Sequence, residues 1–134
     1  MSIQETIQSF LAQGPYAVVG ASTNRAKYGN KVLRCYLQHG LEVYPVNSKA
    51  MEVEGVACVP CLTDLPNPVR GVSVITPPKV TERIVENLPA AGAEFVWMQP
   101  GAESDAAVAR AEELGVTVIA GGPCLLVALG FHDE

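Results

Sequence analysis

A run of ten residues, Gly20-Ala21-Ser22-Thr23-Asn24-Arg25-Ala26-Lys27-Tyr28-Gly29, gathers hydroxyls, an amide, two cations and a phenol between two glycines. These side-chain types suit an anionic group. Hydroxyls and amides donate to phosphate oxygens, while Arg25 and Lys27, joined by Lys31, offset the charge. The run reads as a polar loop leading into a helix. The first N–H groups of a helix have no intrahelical acceptor and lie at the positive end of its dipole. The loop is therefore expected to hold a phosphate or pyrophosphate. An ordinary solvated loop is the plainer alternative.

The cysteines invite other chemistry. Cys58-Val59-Pro60-Cys61 has the spacing of a redox pair, but such a pair normally opens a long helix directly after a strand. Here it falls in an irregular segment, ahead of a short turn that Cys61 would cap. A zinc site would need two further ligands, and Cys35 and Cys124 stand alone. Catalysis requires a positioned acid, base, nucleophile or metal. The expected strand ends supply Ser22, Thr76, Gln99 and Cys124, with neither a histidine nor a carboxylate pair. Glu103 is accounted for as an acid in the first turn of a helix. A binding site is expected rather than a catalytic one.

The elements that must position these residues are marked by three joints, at Gly40, Gly92 and Gly115, where a helix meets a glycine and then an apolar strand. Glycine just past a helix end caps free carbonyls in the left-handed conformation. An apolar run straight afterwards reads as a strand buried on both faces. Strands are expected at 15–20, 41–46, 72–75, 95–98 and 116–120. Helices are expected over Ser2–Gln13, from Gly29 or Asn30, after Thr76-Pro77-Pro78, and after Ser104. The 50–65 region reads as irregular, with a short strand near Val56-Ala57 and a helical turn after Cys61. This alternation predicts an α/β, doubly wound, mainly parallel five-stranded sheet with helices on both faces. Its site would lie at the strand carboxyl ends, beside a central first strand.

At 134 residues and 49% hydrophobic content, residues 1–134 are expected to form one domain with a substantial core. The apolar stretches are strand-sized, so no membrane span is expected. The opening residues lack the pattern of a secretion signal, which leads us to expect a cytoplasmic protein with reduced thiols. A net charge of -5 argues against nucleic acid as a partner. Which nucleotide the site takes is narrowed by the end of the second strand. The G-x-G-x-x-G fingerprint does not occur, and Asn47-Ser48-Lys49 stands where NAD sites carry an acid for the ribose hydroxyls. Lys49 favours a phosphorylated ribose, which leaves coenzyme A or NADP.

The order and spacing of Val18-Val19-Gly20-Ala21-Ser22, Lys27-Tyr28-Gly29, Tyr44-Pro45-Val46-Asn47, Thr76-Pro77-Pro78, Trp97-Met98-Gln99-Pro100-Gly101 and Pro123-Cys124 resemble the stand-alone CoA-binding proteins. These are similar to the amino-terminal domain of the succinyl-CoA synthetase α subunit. The resemblance spans about residues 13 to 125 and implies a Rossmann-like domain that binds coenzyme A. It implies that Gly20, Ala21, Ser22, Asn24, Arg25, Lys27, Tyr28 and Gly29 surround the phosphates, with Pro45, Asn47 and Lys49 near the adenosine end. Thr76, Pro77 and Val80 would line the cleft, with Gln99 and Gly101 towards the pantetheine arm. Cys124 would sit at the site edge, there to pack or to form a mixed disulfide with the CoA thiol.

Two features depart from that group. Its small members carry charged residues around the cysteine matching Cys124, whereas Gly121–Val127 is almost wholly apolar here. The synthetase uses a phosphorylated histidine on another domain, while this chain has only His39 and His132. The expected function is non-catalytic binding of CoA or an acyl-CoA, as a carrier or sensor. A small NADP-dependent oxidoreductase and an interaction module with a relic nucleotide crevice are the alternatives. Self-association and protein partners are left open.

Overall fold

Every residue of Tyr16–Val19, the first strand (β1), is buried, as a strand covered on both faces requires. In a computed structural model, which describes residues 2–133, β1 is followed by β2 (Val43–Val46) and a small antiparallel hairpin, β3 (Glu52–Val53) and β4 (Val56–Ala57). Three further strands come after it: β5 (Gly71–Val74), β6 (Phe95–Met98) and β7 (Thr117–Ile119). Five of these form one parallel sheet in the order β2-β1-β5-β6-β7. The helices are α1 (Ile3–Ala12), α2 (Tyr28–Gln38), α3 (Pro78–Ile84), α4 (Asp105–Glu113) and α5 (Leu125–Leu129). The doubly wound α/β architecture is the one the sequence predicts.

Alternation along the strands divides the core into two layers. Tyr16, Val18, Trp97 and Ile119 face α1, α2 and α5, where Phe10 packs edge-on against Trp97 at 5.3 Å and Tyr16 stacks on Tyr36 at 4.9 Å. Ala17, Val19, Val72, Val74, Val96 and Met98 face α3 and α4. The three joint glycines have φ of 68°, 79° and 81°, the left-handed values their helix ends call for. Ser2 and Glu5 form the expected capping box on α1, and the Ser104 side chain caps α4.

Three local features differ from the sequence reading. The first strand lies one in from the sheet edge, and β5 is central. Only the β1–α2–β2 crossover builds one way from β1, whereas three strands build the other way. The reversal of winding therefore falls between β1 and β5, and the crevice stays beside β1. Helix α5 lies in a stretch read only as apolar; five residues are too few for periodicity to separate a helix turn from a buried strand. Ile3 and Leu37, expected on inward faces, are exposed at helix ends. No helix among the described residues is long and apolar enough to cross a membrane.

Candidate functional site

The carboxyl ends of β1, β2 and β5 open onto a cleft of about 670 Å³. Its base is built backbone on backbone. Gly20 has φ of 96°, and a Cβ there would meet the Ile75 carbonyl oxygen at 2.5 Å; a Cβ on Gly29 would meet the Gly20 carbonyl oxygen at 2.0 Å. Only glycine at both positions lets the start of α2 press onto the end of β1, itself pressed onto the end of β5. Helix α2 begins at Tyr28 after Lys27, which provides no side-chain cap. Among the described residues no protein group accepts from the Tyr28 or Gly29 amide, as expected for the first turn of a helix.

The loop between them is held by local turns and a buried polar network. The Asn24 amide donates to Ser22 Oγ (3.1 Å) and the Ala26 amide to Asn24 Oδ1 (3.0 Å). Asn30 Nδ2 donates to the Ser22 carbonyl (2.8 Å) and to Glu54 Oε2 (3.1 Å), and Glu54 also pairs with Arg25. Arg34 donates from Nε to Asn30 Oδ1 (2.6 Å), from Nη2 to the Arg25 carbonyl (2.8 Å) and from Nη1 to Asp133 Oδ1 (3.0 Å). Asn30 and Arg34 are buried. Lys31 lies 3.7 Å from Asp133, so it serves this network. Glu54 reaches the loop because it and Gly55, with φ of 51° and 79°, form the two-residue turn of the β3–β4 hairpin.

The opposing lip is tied in by Asn47, whose Nδ2 donates to the Ala21 carbonyl (2.6 Å) while its Oδ1 accepts from the Lys49 and Ala50 amides (2.8 and 3.0 Å). Asn47 is thus a strut between the loops after β1 and β2. Of the residues expected at the site, Gly20, Ala21, Ser22, Lys27, Tyr28, Gly29, Asn47, Lys49, Thr76 and Val80 line the cleft. Asn24 and Arg25 lie in the loop behind it, Pro45 is buried within β2, and Pro77 is exposed as the residue capping α3. Ser48, Pro60, Cys61, Leu62, Ile84 and Asn87 also line the cleft but were not expected there. The spacing Val80, Ile84, Asn87 is a helical stripe that the apolar alignment could have yielded. Asn30 and Arg34, four apart on α2, carried a same-face signal, and Glu54-Gly55 between valines carried a hairpin signal.

Gln99 and Cys124 form a second cluster behind Tyr28. The Tyr28 hydroxyl donates to Gln99 Oε1 (3.1 Å) and lies 2.7 Å from Cys124 Sγ. Burial is the first cause that pushes the Tyr28 hydroxyl well above its usual range, so it stays a neutral donor. Gln99 Oε1 also accepts from the Leu125 amide (3.0 Å), which joins the β6 end to α5. Gly101 is exposed in the turn after β6. Cys35, buried nearby on α2, has its thiol pushed up to about 11 by burial. Cys61 caps the turn Leu62–Asp64 and is exposed.

Charge in the network sets a pH dependence. The Asn30 amide, and after it the Arg25 guanidinium, hold the Glu54 carboxyl below the usual glutamate range. With a lowered folded-state value, its contribution is complete above the unfolded value of about 4.3 and is lost as pH falls through the lower, folded one. Acidification should therefore shift the Ser22, Asn24 and Ala26 amide resonances with a midpoint below that of unfolded glutamate. Glu54→Gln should remove that transition; its persistence, or a midpoint at the ordinary value, would contradict the assignment.

Comparison with known proteins adds an independent line. A family model for a CoA binding domain matches residues 15–130. A solved structure of a conserved hypothetical protein from Pyrococcus furiosus is 40% identical, with a TM-score of 0.79 over 84% of this chain and 97% of that one. Acetate–CoA ligase (ADP-forming) I of Archaeoglobus fulgidus is 33% identical over 70 residues, which is 52% of this chain and 10% of the ligase. The dinucleotide-forming acetyl-coenzyme A synthetase 1 of Ca. Korarchaeum cryptofilum, solved with phosphate and ADP, is 30% identical with a TM-score of 0.71. That match covers 78% of this chain and 25% of the synthetase. The chain thus corresponds to a minor part of either large enzyme.

Proposed function

The chain belongs to the CoA-binding domain family, and we propose that it binds coenzyme A or an acyl-CoA in the cleft at the ends of β1, β2 and β5, as a carrier or sensor. The observation that carries this reading is the charge of the lining. In a protein of net charge -5, the cleft presents Lys27 and Lys49 and, among the described residues, no carboxylate. The unpaired Tyr28 and Gly29 amides add donors at the positive end of α2. Ser22, Lys27 and those amides would hold the pyrophosphate, and Lys49 would meet the ribose phosphate. The apolar wall of Pro60, Leu62, Val80 and Ile84 would take the adenine. The lining also lacks a histidine, which favours holding a ligand over moving its protons.

Calorimetric titration with CoA, dephospho-CoA, NADP and NAD tests this directly. CoA should bind, and dephospho-CoA should bind about tenfold more weakly through loss of one charge-assisted contact. NAD should be silent. Equal CoA and dephospho-CoA affinities would leave the ribose phosphate in solvent and remove Lys49 from the reading. NADP binding tighter than CoA would favour an oxidoreductase, and silence for all four would leave the family's fold without its ligand.

A further inference from the structure

The cleft-lining side chains sort by whether the protein already uses their polar atoms. Asn47 is spent on Ala21, Lys49 and Ala50. The Thr76 hydroxyl is 2.8 Å from that of Thr81, and Ser22 Oγ accepts from the Asn24 amide. The Tyr28 hydroxyl is engaged with Gln99 and Cys124. Of the two side-chain amides in the lining, that of Asn87 is the one that makes no hydrogen bond to any described residue.

Its position gives that free amide a use. Asn87 ends the 3-10 turn Val85–Asn87 that continues α3, and its half-buried side chain lines the cleft in register with Val80 and Ile84. Along a helix axis this places it about 10 Å beyond Val80, away from the strand ends where the phosphates are expected. Pro60 and Leu62 face the same space. A slot walled by proline and aliphatic side chains suits the faces of a planar heterocycle. A carboxamide at its rim, with one acceptor and a pair of donors, suits an edge that offers an amino group beside a ring nitrogen.

We infer that Asn87 reads the edge of the nucleobase, its Oδ1 accepting from the 6-amino group of adenine and its Nδ2 donating to the neighbouring ring nitrogen. Asn87 is thereby the residue that selects an adenine nucleotide within the cleft. This inference rests on the CoA-binding reading above, and the test separates the two.

The test is a two-by-two cycle of protein and ligand. Wild type, Asn87→Leu and Asn87→Ala are titrated with CoA and with a CoA analogue whose base is unsubstituted purine, lacking only the 6-amino group. Wild type should bind CoA about tenfold more tightly than the analogue. Both variants, with melting temperatures near that of wild type, should bind the two ligands within twofold of each other. Wild-type discrimination that persists in both variants overturns the role of Asn87. Equal wild-type affinity for the two ligands overturns base reading while leaving CoA binding intact. Binding of neither ligand by wild type overturns CoA binding itself, and this inference with it.

Discussion

Gly29→Ala should destabilise the protein by about 1–3 kcal/mol and weaken CoA binding more than tenfold. Two effects of opposite sign compete. Within a helix, alanine is about 1 kcal/mol more favourable than glycine, and Gly29 lies in the first turn of α2. Considered locally, the substitution stabilises. Against that stands the Gly20 carbonyl oxygen, 2.0 Å from where the new Cβ would be. No side chain can swing aside, because the obstacle is backbone, and Gly20 is itself backed by Ile75. Relief requires α2 to lift from the end of β1, which moves the Tyr28 and Gly29 amides that face the expected phosphate. The overlap outweighs the propensity. Denaturant unfolding supplies the sign and calorimetry the affinity. A Gly29→Ala protein more stable than wild type, with unchanged CoA affinity, would contradict both the close approach and its place in the site.

The same pair of glycines shows which features the sequence makes legible. The strands and their joints could be read because each rests on a local signal: an apolar run, a left-handed glycine, a capping side chain. The loop from Gly20 to Gly29 could be read because cations are scarce in this acidic chain, and ten residues gather two of them. What escaped rests on pairings distant in sequence. Asn30 and Arg34 are polar residues on a helix, and without knowledge of Glu54, 24 residues further on, they read as a solvated face. The β3–β4 hairpin has two residues in each strand and Glu54-Gly55 as its one local signal, yet its turn delivers the carboxylate that closes the network. The apolar wall of the cleft escaped for a related reason. Pro60, Cys61 and Leu62 come from an irregular segment whose course is set by β2, through the Asn47 amide donating to the Val59 carbonyl (3.0 Å). Arg25 was expected to meet a phosphate directly. In the structure its side chain pairs with Glu54 and its carbonyl accepts from Arg34.

That network predicts the second large effect. Arg34→Ala should cost about 1–3 kcal/mol of stability, the range for leaving a buried hydrogen-bonding group without its partner. The Arg34 side chain is 6% exposed, and its guanidinium makes three hydrogen bonds and lies 5.1 Å from the Phe131 ring centre. Its loss leaves Asn30 Oδ1 buried without a donor and releases the Arg25 carbonyl and Asp133 together. The consequences split between fold and site. Asp133 contacts Arg34 and Lys31 on α2, whereas release of Arg25 and Asn30 frees the loop from Ser22 to Lys27. CoA affinity should therefore fall further than in Asp133→Ala, which keeps the Asn30 and Arg25 contacts. Arg34→Lys should rescue little, because an ammonium cannot reproduce the planar fork that meets an amide oxygen and a backbone carbonyl at once. Urea unfolding of the three variants, with CoA titration of each, makes the comparison. If Arg34→Ala lies within 0.5 kcal/mol of wild type, the usual span of a surface change, the network is ornament and the loop is held by its own turns.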